Sequence, residues 1–508
     1  MMLTQDALGA WLDARGRLDV TGRRCHFIGI GGCGMSGLAR MLAMRGARIS
    51  GSDASESPVT EALHEEHPDW SITFDQAQPV PGDTELVIAS AAIKPEHVEL
   101  MSAVEGGLPV LTYAEALGLA MRGTTGLAIA GTHGKSTTSA MLGHVLRECG
   151  LDPTVIVGAT CAQLDPGAAH PTGFRMGAHK IPTGALAGKP GILVAEACEY
   201  NRSFLNFAPT IGVITSVEAD HLDIYGSLDA VVDAFAQFAH RVAPAAAGGK
   251  LLIAHDGAHR REISAGLECE VRTIGFNPAA DYYVTYHRQE RRVTVSNGTL
   301  LGAWAMQLPG EHMAMNAATA FVLALWLGAE PDAAAKALGD FQGLDRRLQF
   351  VGELATGGGV ARVFDDYGHH PTEVETTLRA LREAEVQDGG RLICVFQPHQ
   401  HSRTRHLLEE FAQSFAHADV VIVPHIYFVR DSENERTKVS AADLVDRLRQ
   451  RRVKAMHVYP FDAIVEQLVD ICRAKDVVVV MGAGPVWKVA HGLVKSGSPV
   501  GTQHAVAV

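Results

Sequence analysis

The stretch Gly131-Thr132-His133-Gly134-Lys135-Ser136 constrains this chain more than any other. The apolar run Leu127 to Ala130 leads into it as a buried strand, and Thr137 to Cys149 leads out as a helix. Met141, Leu142, Val145 and Leu146 give that helix an apolar stripe, and Gly150 suits the position after its last turn. Strand, glycine loop, Lys-Ser and helix in succession bind nucleotide phosphates. Loop N–H groups and the helix N-terminus point at the anion, the lysine adds a charge, and the serine hydroxyl can ligate Mg²⁺. The longer form of this pattern has a glycine five residues before Gly134, where this chain has Ile129, so the loop is a shortened version. The plain alternative is a glycine turn with a solvated lysine.

At 508 residues the chain is too long for one core and calls for two to four domains. A hydrophobic content of 47% and a charged content of 20% describe an ordinary globular protein. The net charge of −13 gives no electrostatic footprint for nucleic acid, although a phosphate loop binds its ligand locally. The eight cysteines are scattered with no C-x-x-C pair, which argues against a zinc knuckle or a disulfide framework and for a reducing compartment. Met1 to Asp19 has no apolar h-region, and no run is long enough to span a bilayer. A cytoplasmic enzyme without membrane or nucleic-acid partners is expected.

In residues 1–122, Cys25 to Ile30 reads as a buried strand running into Gly29-Ile30-Gly31-Gly32-Cys33-Gly34, and Met35 to Met44 as a helix. The spacing is G-x-G-x-x-G, which permits a tight turn and close approach of backbone to a phosphate. A second strand, Ala47 to Ser50, precedes Ser52 and Asp53, and an acid at that distance usually meets a ribose hydroxyl. A third, Glu85 to Ala89, ends at Ser90. The loop reads a phosphate, not a nicotinamide. In residues 123–343, Cys161 to Gly191 reads as loops or a short hairpin. Ile192 to Ala195 is a strand ending at Glu196-Ala197-Cys198-Glu199, where carboxylates stand ready for Mg²⁺. Ile211 to Thr215 is another strand, followed by Glu218-Ala219-Asp220-His221, and Gly310 to Asn316 opens an alanine-rich helix. In residues 344–508, Gly343 before Arg346-Arg347 makes a hinge. FDDYGHHP (364–371) precedes a helix, and strands fall at 391–396, 420–423 and 477–481. The tail after Ser496 is expected to fray. Alternating strands and helices imply parallel, doubly wound sheets with polar clusters at strand C-terminal ends.

HFIGIGGCGMSGLA (26–39), GTHGKST (131–137), EACEYNRSFL (196–205), EADH (218–221), the Asn316 helix start, DDYGHHPTEV (365–374) and FQPHQHSRTR (396–405) together resemble the Mur ligases, the ATP-dependent amino-acid ligases of peptidoglycan precursor synthesis. The likeness covers nearly the whole chain and is strongest to the alanine-adding branch. It implies an α/β fold of three domains: a Rossmann-like N-terminal domain for the UDP sugar, a central P-loop domain for Mg-ATP, and a Rossmann-like C-terminal domain that brings the amino acid. Gly31, Gly32, Gly34, Met35, Ser36, Asp53 and Ser90 are then the candidate UDP-sugar residues. Gly131, Thr132, His133, Gly134, Lys135, Ser136, Thr137, Asn316 and Arg347 are the candidate ATP residues, with Asn316 at the adenine end.

The implied reaction joins L-alanine to the lactyl carboxylate of UDP-N-acetylmuramate through an acyl phosphate. Lys135 would stabilise the transferring phosphoryl group. Ser136 and Glu196 would hold one Mg²⁺, and Glu196 with His221 a second. Arg346, Tyr367, His369, His370 and Arg403 would line the alanine and phosphate side, with His369 or His370 taking the ammonium proton. Ser136 stands where the family commonly has Thr, Met313 and Cys198 where many relatives have Asn and Asp, and Gln400 where many have a second Arg. A monomer or homodimer is expected. The competing readings are a murein tripeptide ligase of cell-wall recycling, an NAD-dependent dehydrogenase built on Gly29 to Asp53, and a non-catalytic nucleotide-sugar sensor.

Overall fold

In the computed structural model, residues 9–14, 16–429 and 431–497 are described. They form three sheets. The first holds β1 (Arg24–Ile28), β2 (Arg48–Ser52), β3 (Ser71–Thr73), β4 (Leu86–Ala89) and β5 (Val110–Thr112), in the order β3-β2-β1-β4-β5. All its pairs are parallel. β1 is buried after its first residue because both faces are covered, with His26 as its one polar member inside. It delivers the chain into the glycine loop, and the helix Cys33–Met44 follows. β2 runs on to Ser52, two residues beyond the stretch its apolar pattern suggests.

The second sheet holds β6 (Thr125–Ala130), β7 (Thr154–Cys161), β8 (Thr172–Arg175), β9 (Ile192–Glu196), β10 (Ile211–Ile214), β11 (Lys250–Ala254), β12 (Glu270–Gly275), β13 (Tyr282–His287), β14 (Arg292–Ser296) and β15 (Leu300–Ala305). Their order is β15-β14-β13-β12-β11-β10-β6-β9-β7-β8. The pairs from β7 across to β13 are parallel, and β8, β14 and β15 add antiparallel edges. The stretch Cys161 to Gly191 is thus more ordered than loops alone, since β8 returns along β7. The helix Lys135–Glu148 follows β6, and the helix Glu311–Trp326 packs along it.

The third sheet holds β16 (Gln349–Thr356), β17 (Gly359–Asp366), β18 (Leu392–Phe396), β19 (Val420–Val423), β20 (Lys454–His457) and β21 (Val477–Met481), in the order β16-β17-β21-β18-β19-β20. Only the β16–β17 pair is antiparallel. The parallel α/β organisation expected from the strand–helix alternation is therefore present, with antiparallel edges added.

The sheets are not insulated from one another. In the helix Cys33–Met44, a Cβ on Gly37 would lie 3.3 Å from Phe174 and 3.5 Å from Ile156, so that helix packs directly on β7 and β8. One apolar cluster accordingly joins Phe27 and Leu38 to Ile156, Phe174 and Leu193. Another joins Leu127 and Phe321 to Leu344, Val374 and Leu378. Among the described residues no helix is long and apolar enough to cross a membrane. From residue 498 on, the tail expected to fray lies outside the described residues.

Candidate active site

The phosphate-loop motif sits at the carboxyl end of β6, between β9 and β10. Its glycines answer to close approaches. Gly131 has φ +137°, and a Cβ there would lie 2.0 Å from Thr215 Oγ1. Gly134 has φ +80°, and a Cβ there would lie 2.4 Å from Asn316 Oδ1. The loop is tied to the segment after β10: Thr132 N donates to Ser216 O (2.9 Å), His133 N to Ser216 Oγ (3.0 Å), and Glu218 N to Thr132 Oγ1 (2.9 Å). Two N–H groups expected to cradle phosphate, those of Thr132 and His133, are thus engaged by Ser216.

Lys135 Nζ donates to Gly131 O (2.6 Å), Thr132 O (3.0 Å) and Glu199, whose nearer carboxylate oxygen is 3.0 Å away. Burial disfavours the charged lysine, but the Glu199 carboxylate outweighs it and holds the ammonium protonated. Glu199 itself is pushed up by burial, with Lys135 pulling the other way. Ser136 Oγ donates to Glu196 Oε2 (3.0 Å), which also accepts from Gly158 N (2.9 Å). The Ser136–Glu196 pairing expected for a cation is therefore present. The donor atoms of His221 group with those of Glu199 and Asp220, all within 4.8 Å of one another, and Glu196 lines the same cavity. Burial, with the cations Arg403 and Lys135 adding to it, lowers the His221 pKa to about 4 despite the Asp220 carboxylate. The ring is neutral at pH 7, as a cation ligand must be.

From the last domain, the guanidinium carbons of Arg346 (5.0 Å) and Arg347 (5.1 Å) both lie over the Tyr367 ring. Arg347 pairs with Glu373 (3.6 Å). Arg346 is anchored by Asp365 (3.2 Å) and by the carbonyls of Gly482 and Gly484. Arg403 makes a buried pair with Asp220 (2.9 Å) and donates to His399 Nδ1 (3.0 Å). His369 Nδ1 donates to Tyr367 O (3.0 Å). Burial, with Arg403 adding to it, lowers the His369 pKa to about 4.

His370 is a correction. Its Nδ1 caps the helix Pro371–Ala384 by accepting from Thr372 N (3.3 Å), and its Nε2 donates to Ala219 O (3.2 Å). Both ring nitrogens are engaged in these contacts, and of the two candidates His369 is the one that lines the cavity.

These groups surround two adjoining spaces. One, about 420 Å³, draws Cys33 from the first glycine loop, Lys135, Ser136, Glu196 and His221 from the second sheet, and Arg346, Tyr367, His369 and Arg403 from the third. The other, about 220 Å³, is largely apolar. It is lined by His133, Gly134, Thr137, Met313, Asn316 and Arg347, with Val213, Leu252 and Ile274. Asn316 is buried there and accepts from Thr138 Oγ1 (3.3 Å). Non-glycine residues with φ between +50° and +70° gather around the larger space: His221, Arg346 and Gln400. Such strain persists only where surrounding contacts over-determine it, and it concentrates at functional sites.

The first glycine loop is closed on its own acid. Gly31 N donates to Asp53 Oδ2 (2.8 Å), so Asp53 fixes the loop where a ribose contact was expected. A Cβ on Gly34 would lie 2.7 Å from the Tyr113 hydroxyl, Gly32 has room around it, and Met35 and Ser36 are buried, with Ser36 Oγ donating to Cys33 O. Ser90 lines a separate cleft of about 490 Å³ with Ile93, Met101, Tyr113 and Asn201. The expected UDP-sugar residues are thus not all gathered around one space. Sequence reasoning missed Glu199, Glu218, Asp220 and Glu373 as partners of Lys135, His133, Arg403 and Arg347. All four lie inside the quoted motifs, but their partners are distant in sequence, so only position within a motif could have flagged them.

Three family models match in chain order: "Mur ligase family, catalytic domain" over residues 24–125, "Mur ligase middle domain" over 129–324, and "Mur ligase, glutamate ligase domain" over 346–484. The UDP-N-acetylmuramate–L-alanine ligase of Desulfitobacterium hafniense is 36% identical over 92% of this chain and 99% of its own. That of Paenarthrobacter aurescens is 39% identical over 91% and 94%. In the fold alone, the UDP-N-acetylmuramate-alanine ligase of Thermotoga maritima superposes with a TM-score of 0.73 at 24% identity, covering 93% of this chain and 98% of that one. A murein peptide ligase of Psychrobacter arcticus gives 0.67 at 22% identity, covering 95% and 100%. The order of the motifs, the phosphate loop facing two arginines of the last sheet, and these matches lead to one conclusion: the chain belongs to the Mur ligase family.

Proposed function

We propose that this chain joins L-alanine to the lactyl carboxylate of UDP-N-acetylmuramate at the expense of ATP, in peptidoglycan precursor synthesis. The observation that carries the reading is the cavity of about 420 Å³ where the phosphate-loop lysine, a Ser–carboxylate pair and the Arg346, Arg347 and Tyr367 cluster meet. L-alanine ligases that match over nine-tenths of the chain support the choice of substrates.

The chemistry needs charge neutralisation more than covalent help. ATP lies with its base in the apolar space beside Asn316 and Met313 and its phosphates toward Gly134 and Lys135. Lys135 exchanges its loop carbonyls for γ-phosphate oxygens as the carboxylate attacks phosphorus and ADP leaves. Arg347 approaches from the opposite wall and neutralises the same charge. The amine of L-alanine then attacks the acyl carbon, and phosphate departs from the tetrahedral intermediate carrying the proton that the amine gives up. His369, neutral at pH 7, orients the amine through its imidazole, and the Arg403–Asp220 pair fixes the wall behind it. The first domain holds the UDP sugar, the middle domain ATP, and the last the amino acid.

Ser136 Oγ and Glu196 Oε2 are hard oxygen donors side by side on the cavity wall, which suits Mg²⁺. His221 is neutral, and its Nδ1 is buried without a hydrogen-bond partner, so it fits a second cation with Glu199 and Asp220 beside it. Mg²⁺ there supplies neutralisation of phosphate charge. The first test is phosphate release from Mg-ATP with UDP-N-acetylmuramate and L-alanine added singly and together. Release only with both, with product mass rising by one alanyl residue, is expected. Release with a tripeptide but not with alanine moves the protein to the recycling branch.

A further inference from the structure

A second set of donor atoms converges away from the Ser136–Glu196 pair. His133 Nε2 lies 3.4 Å from Glu218 Oε2, which lies 3.9 Å from His370 Nδ1. The ligand atoms of the three residues all lie within 4.8 Å of one another. The two imidazoles are neighbours, with ring centroids 4.8 Å apart and planes inclined by 48°. On the far side of the His133 ring, Nδ1 lies 3.4 Å from Glu373 Oε1. Neither ring nitrogen of His133 makes a hydrogen bond, although both are buried.

Two imidazoles and a carboxylate, with a second carboxylate behind one imidazole, are the ligands and the outer support of a transition-metal site. With two imidazoles to one carboxylate, the set suits Mg²⁺, a hard cation that favours oxygen ligands, less than the carboxylate-rich His221–Glu199–Asp220 group does. We propose that His133, Glu218 and His370 bind a divalent transition metal of the Zn²⁺ class and that this ion clips the last domain to the phosphate loop. His133 and Glu218 belong to the loops after β6 and β10, and His370 to the helix cap after β17. An ion held by all three therefore fixes those elements against each other. His133 and Glu218 also line the smaller, nucleotide-side space, so the ion restricts that space and opposes nucleotide entry. Binding requires little movement. His370 Nδ1 gives up its 3.3 Å hydrogen bond from Thr372 N, Glu218 Oε2 shares its lone pairs with Thr372 Oγ1, and the imidazolium proton of His133 leaves as the metal enters.

The full chain, without nucleotide and with Mg²⁺ in excess, is titrated with Zn²⁺, and with Co²⁺ as a spectroscopic stand-in. One retained equivalent, the visible absorption of tetrahedral Co²⁺ and a raised Tm are expected. His370→Ala and Glu218→Gln each weaken Zn²⁺ by about tenfold or more, and Glu373→Gln, acting behind His133, by about 10- to 100-fold. Glu218→Gln leaves the helix cap intact, so it still reports if His370→Ala does not fold. His221→Ala keeps wild-type affinity, because His221 belongs to the separate Glu199–Asp220 group. Zn²⁺ affinity unchanged by Glu218→Gln, affinity lost with His221→Ala instead, or no retention against Mg²⁺ each overturns the site. Binding is read without turnover, so its outcome is independent of the ligase reaction.

Discussion

At the scale of single residues, the site is held ready by acids that sequence motifs do not advertise. Lys135 is saturated by two loop carbonyls and Glu199, so its ammonium is aimed before any phosphate arrives. Lys135→Ala should lower kcat by on the order of 10²- to 10³-fold, the usual loss for one transition-state donor, while UDP-N-acetylmuramate affinity stays near wild type. Isothermal titration with the sugar beside steady-state rates checks this, and near-native turnover would remove the lysine from the mechanism. His221 makes a sharper case. Its folded pKa is about 4, below the ordinary 6.5, so the cation-binding neutral form persists until the pH falls toward 4. The Mg²⁺ dependence of the rate should therefore be the same at about pH 7 and about pH 5.5 as far as this ring governs it. A Mg²⁺ requirement that steepens through pH 6.5 would mean an unshifted imidazole.

At the scale of elements, the phosphate loop and the cap of the helix Pro371–Ala384 lock together through His133, which sits between Glu218 and Glu373. Burial opposes its charge, but the two carboxylates win, and its pKa rises to about 9 from 6.5. Glu218 is lowered to about 2 by the same contact, against its own burial. A raised folded pKa means the stabilisation is complete below pH 6.5 and is lost as the pH climbs toward 9. The loss is at most on the order of 3 kcal/mol. With metal chelated, Tm should fall between those pH values in the wild type and change less in His133→Gln. Parallel slopes for the two proteins would leave the contact without energetic weight. Much of this framework is legible in the sequence. The apolar runs of β19 and β21 give their bounds to the residue, and the two glycine loops announce a strand before and a helix after. The strands β11 to β16 carry no such mark in the sequence. β13, Tyr-Tyr-Val-Thr-Tyr-His, is half-exposed and mixes polar with aromatic residues, so no clean alternation marks it. Asp53 was read as a ribose ligand because its distance from the glycine loop fits that role. The Gly31 N–H it accepts comes from the same loop, and spacing alone does not separate the two uses.

At the scale of the whole molecule, the chemistry requires groups from three sheets to meet and then to part for substrate exchange. The first and second sheets are joined by apolar packing of the helix Cys33–Met44 on β7 and β8, a contact that does not exchange for water cheaply. Next to the cavity, the joint between the second and third sheets is polar: Thr372 Oγ1 to Glu218, His370 Nε2 to Ala219 O, Thr160 to Asp345, and the Arg403–Asp220 pair. Gly343, with φ +117°, lies on the connecting chain. Opening should therefore swing the last domain, while the first two move as one body. Arg403 and Asp220 are both buried, so the pair matters more than a surface bridge, and removing one partner strands the other charge. Arg403→Ala should cost about 3–5 kcal/mol in contacts that hold the domains together. In the ligand-free chain it should enlarge the radius of gyration measured by X-ray scattering, and ATP with UDP-N-acetylmuramate should contract it again. The double variant Arg403→Ala/Asp220→Asn should recover part of the lost compactness, because no buried charge is left unpaired. A scattering profile that is the same for wild type and Arg403→Ala, with and without ligands, would place the hinge elsewhere and leave this ion pair a local feature of the cavity wall.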